Sequence, residues 1–188
     1  MLKYIKGPVE IWGLFLRLLN IIMKTAVIWF NGPSRDSYLN IEKKYTEFGC
    51  NHIRRHRAVD HVCVYDPITV PYVNVEPNVK YWTRNGHSEF EHFKQVWYAI
   101  INQPQNSGVM AVRCALNLGY KKIYIIGCDW GITNKSVYQY KRQSELKYSN
   151  SQCHLLERWN KEPGVEIIVV RNDNKQRDLR LLHTEHIQ

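Results

Sequence analysis

Short apolar runs that end at polar or glycine-bearing turns recur along the chain, separated by stretches of helical periodicity. Runs of this length are typical of strands that are buried on both faces. Four of them are predicted to be strands: Ala26–Phe30, His61–Tyr65, Lys122–Ile126 and Val165–Val170. The proline-bearing segment from Val70 to Val79 is predicted to be an irregular crossing between elements.

Helices are predicted where apolar residues recur every three or four positions. They run from Ser34 to about Tyr45, over Ser88–Ile101, from Ser107 to Leu118 and over Ser151–Lys161. Ser88 and Glu91 have the spacing of a capping box. The alternation of strands and helices predicts an α/β fold: one Rossmann-like domain with a mostly parallel sheet and helices on both faces.

The length of 188 residues suits one such domain and is too short for two with separate cores. We assign residues 23–172 to the Rossmann-like domain, residues 173–188 to a polar C-terminal tail and residues 1–22 to an apolar, amphipathic extension. The apolar run of that extension is too short to span a bilayer as a helix. Two interpretations of it stay open: a short helix that packs on the domain or a partner, or an extension upstream of a natural start at Met23. Weak association with a membrane surface is a further alternative.

Hydrophobic residues make up 44% of the chain and charged residues 23%, as expected for a folded domain. The formal charge of +9 favours anionic partners, but no basic run has the length or the interleaved aromatic residues that predict nucleic-acid binding. Five cysteines without a C-x-x-C motif argue against a zinc finger and indicate a reducing, cytoplasmic compartment, with the membrane periphery as the alternative. His52, His56 and His61 are expected to be solvated, and no metal site is predicted.

Polar and glycine residues follow three of the predicted strands, at the edge where parallel sheets bind ligands. They are Asn31-Gly32-Pro33-Ser34, Asp66 and Gly127-Cys128-Asp129. In the first turn, glycine allows a ligand close to the backbone and the helix start offers N–H groups to a phosphate, although such residues also make plain turns. Ser107-Gly108 offers the same geometry, or else an N-cap and a helix-packing glycine. Asp129 could hold a ribose or a metal, or simply end its strand.

With this spacing, the residues resemble the bacterial sialyltransferases of glycosyltransferase family 42. The resemblance is carried by Asn31-Gly32-Pro33-Ser34, Cys50-Asn51, Val64-Tyr65-Asp66-Pro67 and the block from Ser107 to Trp130. It covers roughly residues 24–170 and is shared with hydroxymethylpterin pyrophosphokinase-like proteins. The resemblance implies that a nucleotide sugar, CMP-linked, binds at this edge of the sheet and that no metal or other cofactor is required.

The resemblance also implies roles for individual residues. Those near the phosphate would be Asn31, Asn51, Ser107 and Gly108. The nucleoside pocket would be formed by Gly127, Asp129 and Trp130. Gly32, Ser34 and Asp66 are assigned to the nucleotide site from their places in turns and at strand ends. Candidate catalytic residues are Tyr138 and Tyr140, for the departing phosphate, and His154, the histidine nearest to the family's base. Two positions depart from the family: Phe30 replaces a glycine, and Lys141 to Gln152 contains no histidine.

Two other functions compete with that of a glycosyltransferase. A pyrophosphoryl- or nucleotidyl-transfer enzyme would prefer ATP and require magnesium, held by Asp129 or Asp66. A catalytically inactive descendant would bind a nucleotide or a protein partner through its basic surface. A homo-oligomer is compatible with each of the three.

Overall fold

A computed structural model describes residues 23–84, 96–98, 106–129 and 145–170, with the backbone alone for residues 96–98 and 145–151. Its strands are β1 (Thr25–Trp29), β2 (Thr46–Cys50), β3 (His61–Val64), β4 (Lys80–Thr83), β5 (Val96–Tyr98), β6 (Lys122–Ile126) and β7 (Glu166–Val170). Three residues expected at the functional site, Trp130, Tyr138 and Tyr140, lie outside the described residues, as do the extension 1–22 and the tail 173–188.

The seven strands form one parallel sheet with the order β5-β4-β3-β2-β1-β6-β7. From β1 the chain winds outward through β2 to β5 on one side, then returns to place β6 and β7 on the other side. The direction of winding therefore reverses between β1 and β6. The parallel sheet with its helices confirms the predicted α/β fold class. Open α/β sheets bind ligands at the carboxyl ends of the strands where the winding reverses, which here lie between β1 and β6.

Hydrophobic residues of β1 alternate between the two faces of the sheet, and each face has its own core. On one face, helix α1 (Ser107–Asn117) packs on β1, β2 and β3, and helix α2 (Glu145–Asn160) packs on β7. On the other face, the core includes residues of three 3₁₀ helices: Pro33–Tyr38, Ile53–Arg55 and Pro67–Tyr72. In the described part of the chain, no helix has both the length and the hydropathy needed to cross a bilayer.

Several predicted elements are wrong in extent or type. The helix expected from Ser34 to about Tyr45 is a 3₁₀ helix of six residues, Pro33–Tyr38. Val96–Tyr98, inside the helix expected over Ser88–Ile101, is an edge strand of the described sheet, so tertiary pairing overrides the helical periodicity there. Helix α2 begins at Glu145, six residues before its expected start.

Strand β2 was not predicted, because its sequence Thr-Glu-Phe-Gly-Cys places a charged residue inside the sheet. Glu47 is only 1% exposed, and Arg57 neutralises it through two hydrogen bonds, from Nη2 to Oε1 at 2.5 Å and from Nε to Oε2 at 2.7 Å. The indole Nε1 of Trp29 also donates to Glu47 Oε2, at 3.0 Å. A buried carboxylate is tolerated here because it is paired and hydrogen-bonded.

The expectation that the histidines near the arginine cluster are solvated is wrong for two of them. His52 and His61 are buried, and only His56 is exposed. The His61 ring stacks on Phe48 with centroids 4.2 Å apart, and its Nδ1 accepts a hydrogen bond from Trp82 Nε1 at 3.0 Å. Burial, with the nearby charge of Lys80, lowers the pKa of His61 to about 4, so this side chain is neutral at physiological pH.

Four of the five cysteines are buried free thiols: Cys50, Cys63, Cys114 and Cys128. Cys50 and Cys63 are paired residues of the neighbouring strands β2 and β3. Burial raises the pKa of both thiols far above the ordinary value. These cysteines therefore behave as small core residues and are not reactive groups in the folded chain.

Candidate functional site

The carboxyl ends of β1 and β6 are joined beyond the last paired residues of the two strands. The backbone N–H of Phe30 donates to Ile126 O, and that of Gly32 donates to Gly127 O, each at 2.8 Å. A Cβ atom on Gly32 would lie 2.4 Å from both Gly127 O and Asp129 Oδ2. Only glycine fits at position 32, so its role in the structure is close approach of two backbones.

Asp129 and Ser34 fasten this junction with two further hydrogen bonds. The backbone N–H of Ser34 donates to Asp129 Oδ2 at 2.8 Å, and the Ser34 hydroxyl donates to Asp129 Oδ1. The carboxylate of Asp129 is buried and receives the N–H group that the turn was expected to offer to a phosphate. In this structure the two residues bind each other and hold the edge of the sheet together.

Ser107, at the first turn of α1, links the ends of β2 and β3. Its buried hydroxyl accepts a hydrogen bond from the backbone N–H of Tyr65 at 3.0 Å and donates to Asn51 Oδ1 at 2.9 Å. Asn51 follows β2 with a φ of 49°, a left-handed conformation that asparagine tolerates better than most residues. Its backbone N–H donates to Cys63 O, so both its backbone and its side chain are held.

The N-terminus of α1 is capped by Asn106, whose Oδ1 accepts from the backbone N–H of Val109 at 2.9 Å. The Nδ2 group of Asn106 donates to Gln152 of α2 at 2.7 Å, which joins the two helices. The backbone N–H groups of Ser107 and Gly108 make no hydrogen bond to the described part of the chain. Such groups at a helix start, together with the helix dipole, attract an anion.

Gly108 also has a packing role. A Cβ atom at this position would lie 2.7 Å from Cε2 and Cζ of Phe30. Phe30 is only 4% exposed and belongs to the core under α1. The Phe30 ring is therefore accommodated by the absence of a side chain on Gly108.

Arg35 is a residue of this edge that sequence reasoning missed, because it lies in a short 3₁₀ helix without a recognisable motif. It is fully buried, at 0% exposed. Its Nη1 donates to Asn31 Oδ1 at 3.3 Å and to Phe30 O at 3.5 Å. Its charge also lowers the pKa of the Cys50 thiol, against the larger raising effect of burial, so the guanidinium lies near the end of β2 as well.

Two candidate residues are not brought into this network. Asp66 is half-buried at the start of the 3₁₀ helix Pro67–Tyr72, where its side chain does not cap the helix. His154 has a side chain that is 78% exposed, with Nδ1 3.3 Å from Glu157 Oε2. It follows Gln152, which faces Asn106, by two residues, and so lies on the opposite side of α2.

The described residues contain no group of three or more His, Cys, Asp and Glu side chains arranged to hold a metal ion. Asp129, one proposed magnesium ligand, has both carboxylate oxygens hydrogen-bonded to Ser34. Asp66, the other, follows β3, which is separated from β6 by β2 and β1.

Solved structures share this architecture, whereas no protein-family model matches the sequence and no curated protein matches it significantly. The sialyltransferase CST-II in complex with a trisaccharide acceptor and CMP has a TM-score of 0.53 and 18% identity, over 78% of this chain and 80% of that chain. CstII from Campylobacter jejuni, in complex with cytidine-5′-monophosphate, gives 0.54 and 18% over 78% and 79%. The MAf glycosyltransferase from Magnetospirillum magneticum AMB-1 gives 0.61 and 12%, over 88% of this chain but 33% of that chain.

At these identities the likeness shows the fold. Neither protein is a pterin pyrophosphokinase, so that part of the resemblance has no support from the solved structures. The chain has the parallel α/β fold found in a sialyltransferase and in part of a larger glycosyltransferase.

Proposed function

We propose that this chain binds a nucleotide sugar as a glycosyltransferase-like protein, with the phosphate of a CMP-linked donor at the carboxyl ends of β1 and β2. The observation that carries the proposal is the orientation of Asn31 and Asn51. Both side chains turn Oδ1 toward a donor of the protein and keep Nδ2 for a ligand.

The orientation of Asn51 is seen in its contact with Ser107. The Ser107 hydroxyl accepts from the backbone N–H of Tyr65 and donates its one hydrogen to Asn51 Oδ1. With Oδ1 used in this way, Nδ2 of Asn51 is left as a donor. It makes no hydrogen bond to the described residues.

Phosphate is the ligand group that suits such donors, since its oxygens only accept hydrogen bonds when ionised. The N–H groups of Ser107 and Gly108, at the start of α1, add two more donors with the same preference. The formal charge of +9 attracts the anion over a longer distance. Together these features support a phosphate site formed by neutral N–H groups.

A CMP-linked donor and transfer without a metal are the finer parts of the proposal. They are supported by the fold shared with sialyltransferases solved in complex with CMP. In the proposed reaction the bond between the sugar and the phosphate breaks, the sugar develops positive charge, and N–H donors stabilise the departing phosphate. Tyr138 and Tyr140 stay predicted donors to that phosphate, with Gly127, Asp129 and Trp130 beside the nucleoside.

A second candidate is a nucleotide-binding protein without transferase activity. It is favoured by the position of His154, which is exposed and bonded to Glu157 on the side of α2 away from Asn106. A general base must reach the acceptor hydroxyl. The two candidates predict the same binding and differ in turnover.

Isothermal titration with CMP, UDP and ATP, with magnesium or with EDTA, tests the binding site. We expect CMP to bind equally well with EDTA, and Asn51→Ala to weaken CMP binding by about tenfold because a hydrogen bond to a charged group is lost. Asn40→Ala, at an exposed asparagine before β2, is the matched control and should bind like the parent.

Absence of CMP binding, or equal binding by Asn51→Ala, would overturn the proposal. A preference for ATP that requires magnesium would assign the chain to the nucleotidyl-transfer class instead. Release of CMP from CMP-sialic acid, followed with and without a sugar acceptor, then separates an active transferase from a binding protein.

A further inference from the structure

We infer that Arg35 is a positioning residue that fixes the Asn31 amide with its NH₂ group toward the ligand, which makes this edge selective for phosphate. The inference rests on the proposed nucleotide site and adds a residue that no motif of the sequence indicates. Its basis is the contact of Arg35 Nη1 with Asn31 Oδ1 at 3.3 Å.

The chemistry of the guanidinium decides the orientation of the amide. A guanidinium carries five N–H donors and no acceptor, so the atom of Asn31 that faces it must be the carbonyl oxygen. An asparagine exposed to water turns its amide either way and can offer an acceptor to a ligand. With Arg35 in place, Asn31 offers only a donor.

Arg35 is itself held in place from several sides. It donates to the backbone oxygen of Phe30 at 3.5 Å, and its Nε lies 3.6 Å from Asp36 Oδ1. A Cβ atom on Gly127 would lie 2.9 Å from Arg35 Cβ, so the backbone immediately after β6 packs against the stem of the side chain. A fully buried guanidinium with these contacts has little freedom to release Asn31.

The consequence is a difference between ligands with and without phosphate. An amide that presents only N–H groups stabilises phosphate oxygens and gives no advantage to the neutral nucleoside. We therefore expect Arg35 to govern the ratio of the affinities for CMP and cytidine.

A double-mutant cycle between Arg35 and Asn31 tests the inference through titration with CMP and with cytidine. Arg35→Leu should weaken CMP binding by about tenfold, because the Asn31 NH₂ group is no longer held toward the phosphate. It should leave cytidine binding unchanged. Asn31→Ala should show a similar loss, and the double variant should be no weaker than Asn31→Ala alone. Arg35→Lys, whose ammonium group can still donate to Asn31 Oδ1, should recover part of the affinity.

Arg113→Leu is the matched control, since it removes the same charge from a side chain of α1 that contacts Glu162 and the Trp159 ring. It should bind CMP like the parent. If Arg35→Leu does not fold, Asn31→Asp serves instead: its carboxylate keeps the contact with Arg35 but presents no donor, and it should bind CMP more weakly than Asn31→Ala.

Additive losses in the cycle, or equal losses for CMP and cytidine, would overturn the role of Arg35 while leaving the nucleotide site intact. So would CMP binding by Asn31→Asp that equals or exceeds that of Asn31→Ala. Failure of the parent chain to bind CMP would instead overturn the proposed function, on which the inference depends.

Discussion

Asp129 accepts a hydrogen bond from the backbone N–H of Ser34 and another from its hydroxyl, although the two residues are 95 positions apart in the chain. Through this pair the end of β6 is fixed to the turn after β1. The winding of the sheet reverses between these two strands, so no helix crossover connects them directly. The pair therefore links β1 and β6 through side chains, although no direct chain connection joins these two strands.

Replacing Asp129 by asparagine should destabilise the fold. An NH₂ group would face one of the two Ser34 donors and leave it without an acceptor, at a cost of about 1–3 kcal/mol. Urea unfolding followed by circular dichroism measures the change in the free energy of unfolding. Glu42→Gln, at an exposed carboxylate, is the control and should be neutral. Equal stabilities of the two variants would mean that the Asp129–Ser34 pair does not stabilise the junction.

Gly108→Ala should destabilise the chain by about 1–3 kcal/mol, because the added methyl group overlaps the Phe30 ring. The combined variant Phe30→Leu and Gly108→Ala should be more stable than the sum of the single changes predicts, since the smaller side chain makes room. Thermal and urea unfolding of all four proteins gives the coupling energy. Strict additivity would show that the ring and the glycine do not constrain each other.

Arg57→Leu should cost about 3–5 kcal/mol, because it leaves the buried carboxylate of Glu47 without its cation. Adding Glu47→Gln removes the charge and should restore part of the loss. The free energy of unfolding in urea is the measurement, and Arg55→Leu, at an exposed arginine, is the control for charge. A combined variant no more stable than Arg57→Leu would contradict this account of the pair.

Stability should fall in mild acid because His61 is buried in its neutral form. Its pKa of about 4 lies below the ordinary value of 6.5, so between these values the unfolded chain binds a proton that the folded chain does not. Stability is therefore complete above about pH 6.5 and decreases toward about pH 4, with a loss of about 2 kcal/mol at pH ~5. His52, whose pKa burial also lowers, contributes in the same direction.

The free energy of unfolding at several pH values measures this effect. His61→Phe should reduce the pH dependence to the part that His52 contributes, even though Trp82 loses its acceptor and overall stability falls. His56→Ala, at an exposed histidine, should keep the full dependence. A His61→Phe protein with an unchanged pH dependence would show that the titrating group lies elsewhere.

That the turns after β1 and β6 lie together was predictable, because glycine and polar residues end both apolar strands at the same end of a parallel sheet. The hydrogen-bond partners of the side chains in these turns were not predictable. Ser34 and Asp129 are distant in sequence, and nothing local indicates that each satisfies the other. Arg35 resembles any exposed arginine of a short helix until the fold buries it.

Errors in the elements have a similar origin. Strand β2 was not predicted because it contains Glu47, and a charged residue is expected inside a sheet only when its partner is known. That partner, Arg57, is ten residues away in the sequence. Val96–Tyr98 pairs with β4 despite a helical pattern around it. In both cases the deciding interaction is made with another part of the chain, beyond the reach of periodicity.

The buried thiols give the core a built-in chemical reporter of its own opening. Cys50 and Cys63 are poor nucleophiles while β2 and β3 stay paired, and they regain ordinary reactivity when the sheet separates. The rate at which a small alkylating reagent labels them therefore measures how often the folded sheet opens.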